Sequence, residues 1–179
     1  YDSDGDLDLF VGAVQREPHF LFENRDGLFV NVTSSSGINI TVDDTISSTF
    51  SDYDNDGDQD LFVAFRLAPN KLWRNDGDLN MVDVSATCGI AQDNRRSFGP
   101  AFGDFDRDGL IDLFVSNYGY GVDFPQGNEL YRNLGDGTFE EVTEELGMGG
   151  QSLQSFQAQW VDVDRDGWLD LNVIRDRFI

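Results

Sequence analysis

One acidic loop motif occurs four times in this chain, and its regular spacing constrains the fold more than any other feature of the sequence. Three copies follow the pattern Asp-x-Asp-x-Asp-Gly-x-x-Asp and occupy residues 52–60, 104–112 and 162–170. A fourth copy, at residues 2–8, lacks only the first carboxylate, which would precede Tyr1. Equivalent aspartates lie 52, 52 and 58 residues apart. A chain with self-similarity at this period is an array of similar units rather than one irregular domain.

The motif has the residue types and the spacing of a cation-binding loop. We call its copies loops 1 to 4 in chain order and number its positions 1 to 9. Carboxylates at alternate positions converge when the chain curls tightly, and the glycine at position 6 supplies the backbone freedom for that turn. Calcium takes roughly six to eight oxygen ligands, so the side chains at positions 1, 3, 5 and 9 and the main-chain carbonyl at position 7 would suit it. Magnesium is the weaker candidate, because it prefers a strict octahedron and keeps its waters.

The predicted ligands comprise every carboxylate at these positions and one carbonyl in each loop. They are Asp2, Asp4, Asp6 and Asp8 in loop 1; Asp52, Asp54, Asp56, Asp58 and Asp60 in loop 2; Asp104, Asp106, Asp108, Leu110 and Asp112 in loop 3; and Asp162, Asp164, Asp166, Trp168 and Asp170 in loop 4. Position 7 varies among aspartate, leucine and tryptophan, as expected where only the backbone binds. The sequence therefore predicts Ca²⁺ as the bound ion.

Two other interpretations of the motif compete with this one. A single Asp-Gly cluster is also typical of a solvated turn, but four copies in register favour a cation site. An EF-hand needs a glutamate at position 12, where this chain has Val63, Val115 and Val173, and a helix after the loop. Instead, each loop is followed by a short apolar run typical of a buried strand. These runs are Leu9–Val11, Leu61–Val63, Leu113–Val115 and Leu171–Val173.

A second signature follows the loop in each of the first three units. It spans residues 19–27, 70–77 and 128–135, each a short strand closed by an Asn/Asp/Gly turn. A strand with alternating apolar and polar residues comes next, as in a hairpin with one face on a core. These outer strands are predicted at residues 28–33, 80–85 and 138–143, and the strands before the loops at residues 46–51, 98–103 and 156–161. Four antiparallel strands in about 50 residues form a propeller blade.

The predicted fold class is all-β, with propeller blades of four antiparallel strands in a partial array of about three blades and the start of a fourth. The units fall at approximately residues 1–45, 46–97, 98–155 and 156–179. The split first motif favours a fragment of a closed propeller over an open arc, in which exposed strand edges invite pairing and aggregation.

These motifs resemble those of a known family. The combination of Asp-x-Asp-x-Asp-Gly-x-x-Asp-Leu-Phe-Val with Asn-x-Leu-Tyr-Arg-Asn-x-Gly-Asp-Gly-Thr-Phe, and with a trailing Gly37-Ile38 or Gly89-Ile90, is similar to FG-GAP/VCBS repeats, as in integrin α-chain propellers. It resembles in particular secreted proteins that pair such repeats with an ASPIC/UnbV domain. The resemblance covers essentially all 179 residues, and it implies a calcium-binding β-propeller with the metal in the hairpin loop between the first two strands of each blade. The third unit departs from the pattern at Gly147-Met148-Gly149 and by an insertion around residues 118–127.

The charge of the chain limits its partners. The formal net charge is −22, and 17 of the 34 acidic residues lie inside the loops, so four bound calcium ions at +2 each would leave about −14. A chain this acidic is a poor partner for nucleic acid or an anionic membrane, since both need a basic footprint. No apolar run approaches the ~18 residues of a membrane span. The predicted partners are calcium ions and a protein or glycan ligand, with no nucleic acid and no membrane span in this segment.

The sequence offers few groups for catalysis, and we expect no enzyme and no catalytic residues. The single histidine, His19, stands where Asn70 and Asn128 stand in the other units, which favours a polar role at a strand entry. No second histidine or partner cysteine is available for a nucleophilic triad, and no Gly-x-Ser-x-Gly or phosphate-binding glycine loop occurs. Calcium is a poor Lewis acid compared with zinc, which favours a structural role. The alternative is the propeller scaffold of a polysaccharide-active lyase or hydrolase.

The expected function is therefore interaction or adhesion through a calcium-stabilised module. Trp73 and Tyr131 are predicted to fill the gaps between blades. By contrast, Tyr118, Tyr120 and Phe124 lie in the glycine-rich insertion and are candidates for a contact surface.

Calcium usage and cysteine usage bear on the compartment. Extracellular modules bind calcium with a Kd of ~0.1 to 1 mM, so the loops predict an extracellular, secreted or cell-envelope location. Cys88 is the only cysteine and is expected to be a buried free thiol.

Overall fold

The computed structural model of this chain describes residues 1–15, 17–40, 44–78, 80–119, 127–149 and 154–176. Every regular element in these residues is a β-strand. In chain order the strands are β1 (Leu9–Val11), β2 (Phe20–Arg25), β3 (Leu28–Asn31), β4 (Thr45–Ser51), β5 (Asp60–Phe65), β6 (Lys71–Asn75), β7 (Met81–Asp83), β8 (Ser97–Gly103), β9 (Asp112–Asn117), β10 (Glu129–Asn133), β11 (Phe139–Glu141), β12 (Ser155–Val161) and β13 (Asp170–Arg175).

The strands form four separate antiparallel sheets, and consecutive strands are neighbours in each of them. The sheets are β1-β2-β3, β4-β5-β6-β7, β8-β9-β10-β11 and β12-β13, which we call blades 1 to 4. All four sheets are open, and together they form a partial propeller, so the predicted fold class is confirmed. No helix long and apolar enough to cross a membrane occurs in the described part of the chain.

The first strands of blades 2, 3 and 4 lie side by side. β4 packs against β8, and β8 packs against β12. Gly99 on β8 allows the close approach, because a Cβ atom there would lie 2.6 Å from the Cα of Gln157 on β12. Further along β8, the Trp160 indole of β12 donates from Nε1 to the Ala101 carbonyl at 3.1 Å. Small residues on β8 therefore set the spacing between blades 3 and 4.

The hydrophobic core lies between the blades. Trp73 on β6 is buried in one cluster with Leu21 of blade 1, and Tyr131 on β10 is buried in a second cluster with Phe62 of blade 2. A third cluster joins blade 3 to Ala158 of blade 4. The prediction that Trp73 and Tyr131 fill the gaps between blades is confirmed. Complete burial of such a side chain stabilises a fold by roughly 1.5–3 kcal/mol, so packing between blades is a main source of stability here.

The apolar runs that follow the four loops differ in burial. Residues 61–63 and 113–115 are buried as predicted. Residues 9–11 and 171–173 are only partly buried, so the prediction of buried strands is wrong for blades 1 and 4. Leu9 is 45% exposed, whereas its equivalent Leu61 is 0% exposed, because blade 1 covers that face of blade 2. Full burial requires a neighbouring blade on each face of the sheet.

The outer strands β3, β7 and β11 end two residues before their predicted ends. At that point a side-chain hydroxyl takes the place of the main chain as the acceptor for the neighbouring strand. The bonds run from the N–H of Leu21 to Thr33 Oγ1 (2.8 Å), of Leu72 to Ser85 Oγ (3.0 Å) and of Leu130 to Thr143 Oγ1 (2.9 Å). The hydroxyl ends the ladder and still satisfies a buried donor.

The residues directly before the two glycine-isoleucine pairs tie blade 1 to the outer strand of blade 2, and blade 2 to the outer strand of blade 3. The Met81 N–H of β7 donates to the Ser36 carbonyl at 2.8 Å, and the Phe139 N–H of β11 donates to the Cys88 carbonyl at 2.7 Å. Cys88 is a buried free thiol, as predicted. Gly89 follows with a φ of +84°, which glycine adopts without a Cβ penalty. Main-chain bonds therefore join the blades in addition to apolar packing.

Candidate cation sites

The acidic loops join the first strand of a blade to its second strand. Loop 2 joins β4 to β5, loop 3 joins β8 to β9, loop 4 joins β12 to β13, and loop 1 precedes β1. Neighbouring loops touch along one end of the array. Ser3 Oγ in loop 1 lies 3.4 Å from the Gly57 carbonyl oxygen in loop 2, and Asn55 Nδ2 in loop 2 lies 3.3 Å from the Gly109 carbonyl oxygen in loop 3. This is the hairpin position that the resemblance implied.

Three of the loops bring carboxylate oxygens together. In each of them, one oxygen from each of three aspartates lies within 4.8 Å of the other two. The convergent groups are Asp52, Asp54 and Asp60 in loop 2; Asp104, Asp106 and Asp108 in loop 3; and Asp162, Asp164 and Asp170 in loop 4. Among the residues that the structure describes, the predicted side-chain ligands outside these groups are Asp56, Asp112 and Asp166, together with Asp2, Asp4 and Asp8 of loop 1. The ligand role of the carbonyls at Asp6, Asp58, Leu110 and Trp168 stays a prediction.

Two left-handed residues give each loop its tight curl. The glycine at position 6 has a φ between +89° and +101° in all four loops, as its predicted role requires. Position 4 is left-handed as well, with φ between +59° and +65° at Ser3, Asn55, Arg107 and Arg165. This conformation costs a non-glycine residue roughly 1–2 kcal/mol, so surrounding contacts must hold it. Sequence reasoning missed position 4, because only Asn55 is a residue type that favours a left-handed turn, whereas serine and arginine give no such signal.

Main-chain N–H groups orient several of the loop carboxylates. The position 1 carboxylates accept hydrogen bonds from the position 6 glycines: Asp52 from Gly57 (3.1 Å), Asp104 from Gly109 (3.1 Å) and Asp162 from Gly167 (3.0 Å). The position 5 carboxylate accepts from the N–H of position 7 in all four loops, at 2.8 to 2.9 Å. Each carboxylate oxygen has further lone pairs, so these bonds leave capacity for a ligand.

Position 9 anchors the loop to its blade, a role that the motif alone did not reveal. Asp60 is 1% exposed and accepts hydrogen bonds from the N–H groups of Tyr53 (3.0 Å) and Asn75 (2.8 Å). Asp112 accepts the equivalent two bonds at 3.0 and 2.9 Å. Asn75 belongs to the second sequence signature, so the loop and that signature form one structural unit.

Burial makes Asp54, Asp60 and Asp112 harder to ionise. It raises the pKa of Asp60 to about 7 and the pKa of Asp112 to about 6, and neighbouring loop aspartates add to both increases. Burial also raises the pKa of Asp54. A nearby cation favours the ionised form of a carboxylate and opposes such shifts. A divalent ion in these loops would therefore compete with protons for the same oxygens.

The residues present fit a divalent cation. In the described part of the chain, Oδ1 of Asp54, of Asp104 and of Asp106 is fully buried and has no hydrogen-bond partner. An unsatisfied buried polar atom costs about 1–3 kcal/mol, and more when it is charged, so native proteins pair nearly all such atoms. Their residues, Asp54, Asp104 and Asp106, belong to the convergent groups of loops 2 and 3. Oxygen ligands of this kind are those that calcium takes.

His19 is a buried polar residue at the entry to β2, as predicted from its register with Asn70. Its side chain is 6% exposed, and its Nε2 lies 2.6 Å from Thr45 Oγ1 at the start of β4. The equivalent Asn70 donates to Ser97 Oγ at the start of β8, at 2.9 Å. Burial lowers the pKa of His19. The residue therefore links two blades in its neutral form.

Replacing His19 with asparagine is expected to make the free energy of unfolding less sensitive to acid. Because the pKa of His19 is lower in the folded chain than its unfolded value of about 6.5, acidification protonates the unfolded chain first and lowers the free energy of unfolding. In a buffer of constant ionic composition, the free energy of unfolding of wild type relative to His19→Asn should be constant above about pH 7.5 and should fall from about pH 6.5 to pH 5. Urea unfolding at each pH measures this difference. Parallel curves for the two proteins over the whole range would contradict a buried neutral histidine.

Of the three aromatic residues predicted to form a contact surface, Tyr118 alone lies in the described part of the chain. Tyr120 and Phe124 lie outside the described residues. Tyr118 is 8% exposed, and its ring centroid lies 5.3 Å from that of Phe98 and 4.8 Å from that of Phe156. The prediction of a contact surface at Tyr118 is therefore wrong, because its ring packs between blades 3 and 4.

Comparisons with known proteins agree with the repeat pattern. A family model described as FG-GAP-like repeat matches residues 1–63, 52–115 and 116–173. Cartilage acidic protein 1 from Homo sapiens is 36% identical over 59 residues, which are 33% of this chain and 9% of that protein. The protein of the same name from Mus musculus is 30% identical over 84 residues, 47% of this chain and 12% of the relative. The Xenopus tropicalis protein is 33% identical over 64 residues, which are 36% of this chain and 10% of that protein. The matches thus span only about a tenth of the length of these relatives.

Proposed function

Because this chain belongs to the FG-GAP-like repeat family, we propose that it is a calcium-binding β-propeller module that serves interaction rather than catalysis. Calcium acts in this proposal as a structural ion. The module operates outside the cell or in the cell envelope, and its ligand is a protein or a glycan.

The observation that carries the proposal is the convergence of three carboxylates in each of loops 2, 3 and 4. Fully buried, unpartnered oxygens in loops 2 and 3 strengthen it. Solvated acidic turns keep their carboxylates apart and in water, because like charges repel and burial disfavours ionisation. Calcium tolerates irregular, flexible geometry with roughly six to eight oxygens, whereas magnesium demands a near-ideal octahedron. Loops with three aspartates at alternate positions within five residues therefore suit calcium better than magnesium.

The proposed structural role of calcium is supported by the positions of its predicted ligands. Position 9 is bonded to the third strand of the blade through Asn75 or Asn133, and position 1 is bonded to the glycine of the turn. An ion that neutralises the converging carboxylates would hold both ends of the loop together. Metal binding of this kind contributes directly to folding free energy.

The location and the interaction role have indirect support. Calcium loops of millimolar affinity fill in extracellular fluid, and the relatives carry a name that refers to cartilage and to acidity. Loops on a rigid scaffold commonly carry recognition, and a propeller fold by itself does not specify a reaction.

Calorimetric titration tests the calcium proposal. Wild-type protein is expected to bind Ca²⁺ with a Kd of about 0.1 to 1 mM, and Mg²⁺ at least about tenfold more weakly, because magnesium dehydrates reluctantly. The matched control carries Asp54→Asn, Asp106→Asn and Asp164→Asn, which keep side-chain size and remove one carboxylate from each convergent group. Equal affinity for the two ions, or unchanged calcium binding in the control, would contradict the proposal.

A second experiment separates interaction from catalysis. A panel of polysaccharides incubated with calcium-saturated protein is expected to show no new reducing ends and no unsaturated ends. The appearance of either product would favour the alternative, a propeller scaffold of a polysaccharide-active lyase or hydrolase.

A further inference from the structure

Asn133 connects the acidic loops of two neighbouring blades. It ends β10 and is 2% exposed. Its Nδ2 group donates to two main-chain carbonyls, those of Ile111 in loop 3 at 3.0 Å and of Tyr53 in loop 2 at 2.6 Å. Its Oδ1 accepts from the Gly135 N–H at 3.0 Å. Both N–H donors of the amide are therefore used, one on each loop.

Asn75 makes the same connection one blade earlier. It ends β6 and is 1% exposed. Its Nδ2 donates to the Gln59 carbonyl in loop 2 at 3.2 Å and to the Tyr1 carbonyl, directly before loop 1, at 2.7 Å. Tyr1 and Tyr53 both stand at motif position 2, so the contact recurs with the period of the repeat.

The Tyr53 carbonyl belongs to a residue whose two neighbours in the chain are candidate ligands. Tyr53 is flanked by Asp52 and Asp54, which both belong to the convergent group of loop 2. The N–H of Asn133 also donates to Asp112 Oδ1 in loop 3, at 2.9 Å. One asparagine therefore holds the backbone that carries two carboxylates of one loop and the position 9 carboxylate of the next loop.

Asn24 supplies a natural contrast in blade 1. Its N–H donates to Asp8 Oδ1 at 2.8 Å, and its Nδ2 donates to the Leu7 carbonyl at 3.1 Å. These are the contacts of Asn75 and Asn133 with their own loop. The bonds of Asn24 go to loop 1 and do not reach loops 2 and 3. Asn24 therefore offers a control for the connection between those two loops.

We propose that Asn75 and Asn133 are positioning residues that couple cation binding in consecutive loops, so that calcium in one loop raises the calcium affinity of its neighbour. The inference rests on the proposed calcium sites. Asp52 and Asp54, the neighbours of Tyr53 in the chain, would hold an ion in loop 2, and the Tyr53 carbonyl would then be ordered with them. That carbonyl orients the Asn133 amide, whose backbone holds Asp112, so part of the ordering cost of loop 3 is met before its ion arrives. By linkage, calcium in loop 3 strengthens binding in loop 2 by the same factor.

Direct contacts between loops support the coupling. At the junction of loops 3 and 4, the Arg107 guanidinium lies 5.2 Å from the centre of the Trp168 ring. Arg107 is at position 4 and Trp168 at position 7, so this contact links the left-handed residue of one loop to the predicted carbonyl position of the next.

Nuclear magnetic resonance can measure each loop separately. The amides of Gly57 and Gly109 donate to the position 1 carboxylates of their own loops, so their shifts during a Ca²⁺ titration report loop 2 and loop 3. Asp54→Asn removes a carboxylate from loop 2 and should weaken calcium binding in loop 3 by about fivefold or more, the lower end of typical allosteric coupling. In an Asn133→Ala background, Asp54→Asn should weaken calcium binding in loop 3 by a clearly smaller factor, because only the direct contact from Asn55 to the Gly109 carbonyl then joins the two loops. In the matched Asn24→Ala background, the weakening should persist.

The outcomes distinguish the coupling from the calcium sites themselves. If Asp54→Asn in otherwise wild-type protein leaves the calcium affinity of loop 3 unchanged, the coupling is overturned and the proposed function stands. Weakening of the same size in Asn133→Ala as in otherwise wild-type protein overturns the role of the asparagine. If Asn133→Ala does not fold, the wild-type and Asp54→Asn titrations still decide whether loops 2 and 3 are coupled. No saturable shift at either glycine would overturn the proposed function, and the coupling with it.

Discussion

Removal of calcium is expected to lower the melting temperature of this protein by about 10 °C or more. With a Kd of about 0.1 to 1 mM, an ion at 10 mM stabilises its loop by about 1.4–2.7 kcal/mol. The three convergent groups together contribute about 4–8 kcal/mol, and 1 kcal/mol shifts the melting temperature of a chain of this size by about 2–4 °C. Differential scanning calorimetry in 10 mM CaCl₂ and in excess chelator measures the change.

The variant with Asp54→Asn, Asp106→Asn and Asp164→Asn is the control for this experiment. It should melt at nearly the same temperature in calcium and in chelator, because each convergent group has lost a carboxylate. A melting temperature of the wild type that does not depend on chelator would rule out a structural role for calcium.

Gly89→Ala is expected to lower the free energy of unfolding by about 3 kcal/mol or more. The φ of +84° at Gly89 costs an alanine roughly 1–2 kcal/mol. The added Cβ would also overlap the carbonyl oxygen of Phe139 on the next blade. Relief of that overlap must displace β11 and weaken the bond from the Phe139 N–H to the Cys88 carbonyl, which is worth about 1 kcal/mol. Urea unfolding in saturating calcium measures the loss.

Gly147→Ala is the matched control, because Gly147 holds the equivalent position in the third unit. Its φ is +72°, and a Cβ there would meet nothing within 4 Å among the described residues. The expected loss is therefore only the left-handed strain of about 1–2 kcal/mol. Equal losses for the two variants would show that the contact between Gly89 and the next blade adds nothing to stability.

The loops show how far the sequence can predict a site. The spacing of the aspartates and the glycine predicted a tight curl, and Gly57 has the expected positive φ. The same spacing assigned Asp56 and Asp60 equal roles as ligands. In the structure, Asp60 anchors the loop to β6, as Asp112 anchors loop 3 to β10, while Asp56 accepts a hydrogen bond from the backbone of its own loop. Such a division depends on where donors from other strands lie, which a motif does not encode.

The sequence by itself determined the repeating unit: an acidic loop, four short antiparallel strands and a period of about 50 residues. These features are local, because alternation and turn chemistry act over a few residues. Only the tertiary structure decided that Leu61 is covered while the equivalent Leu9 is 45% exposed. It also decided that Asn133 reaches Tyr53, 80 residues earlier in the chain. Both outcomes depend on how one blade packs on the next, and identical motifs acquire different surroundings when their neighbours differ.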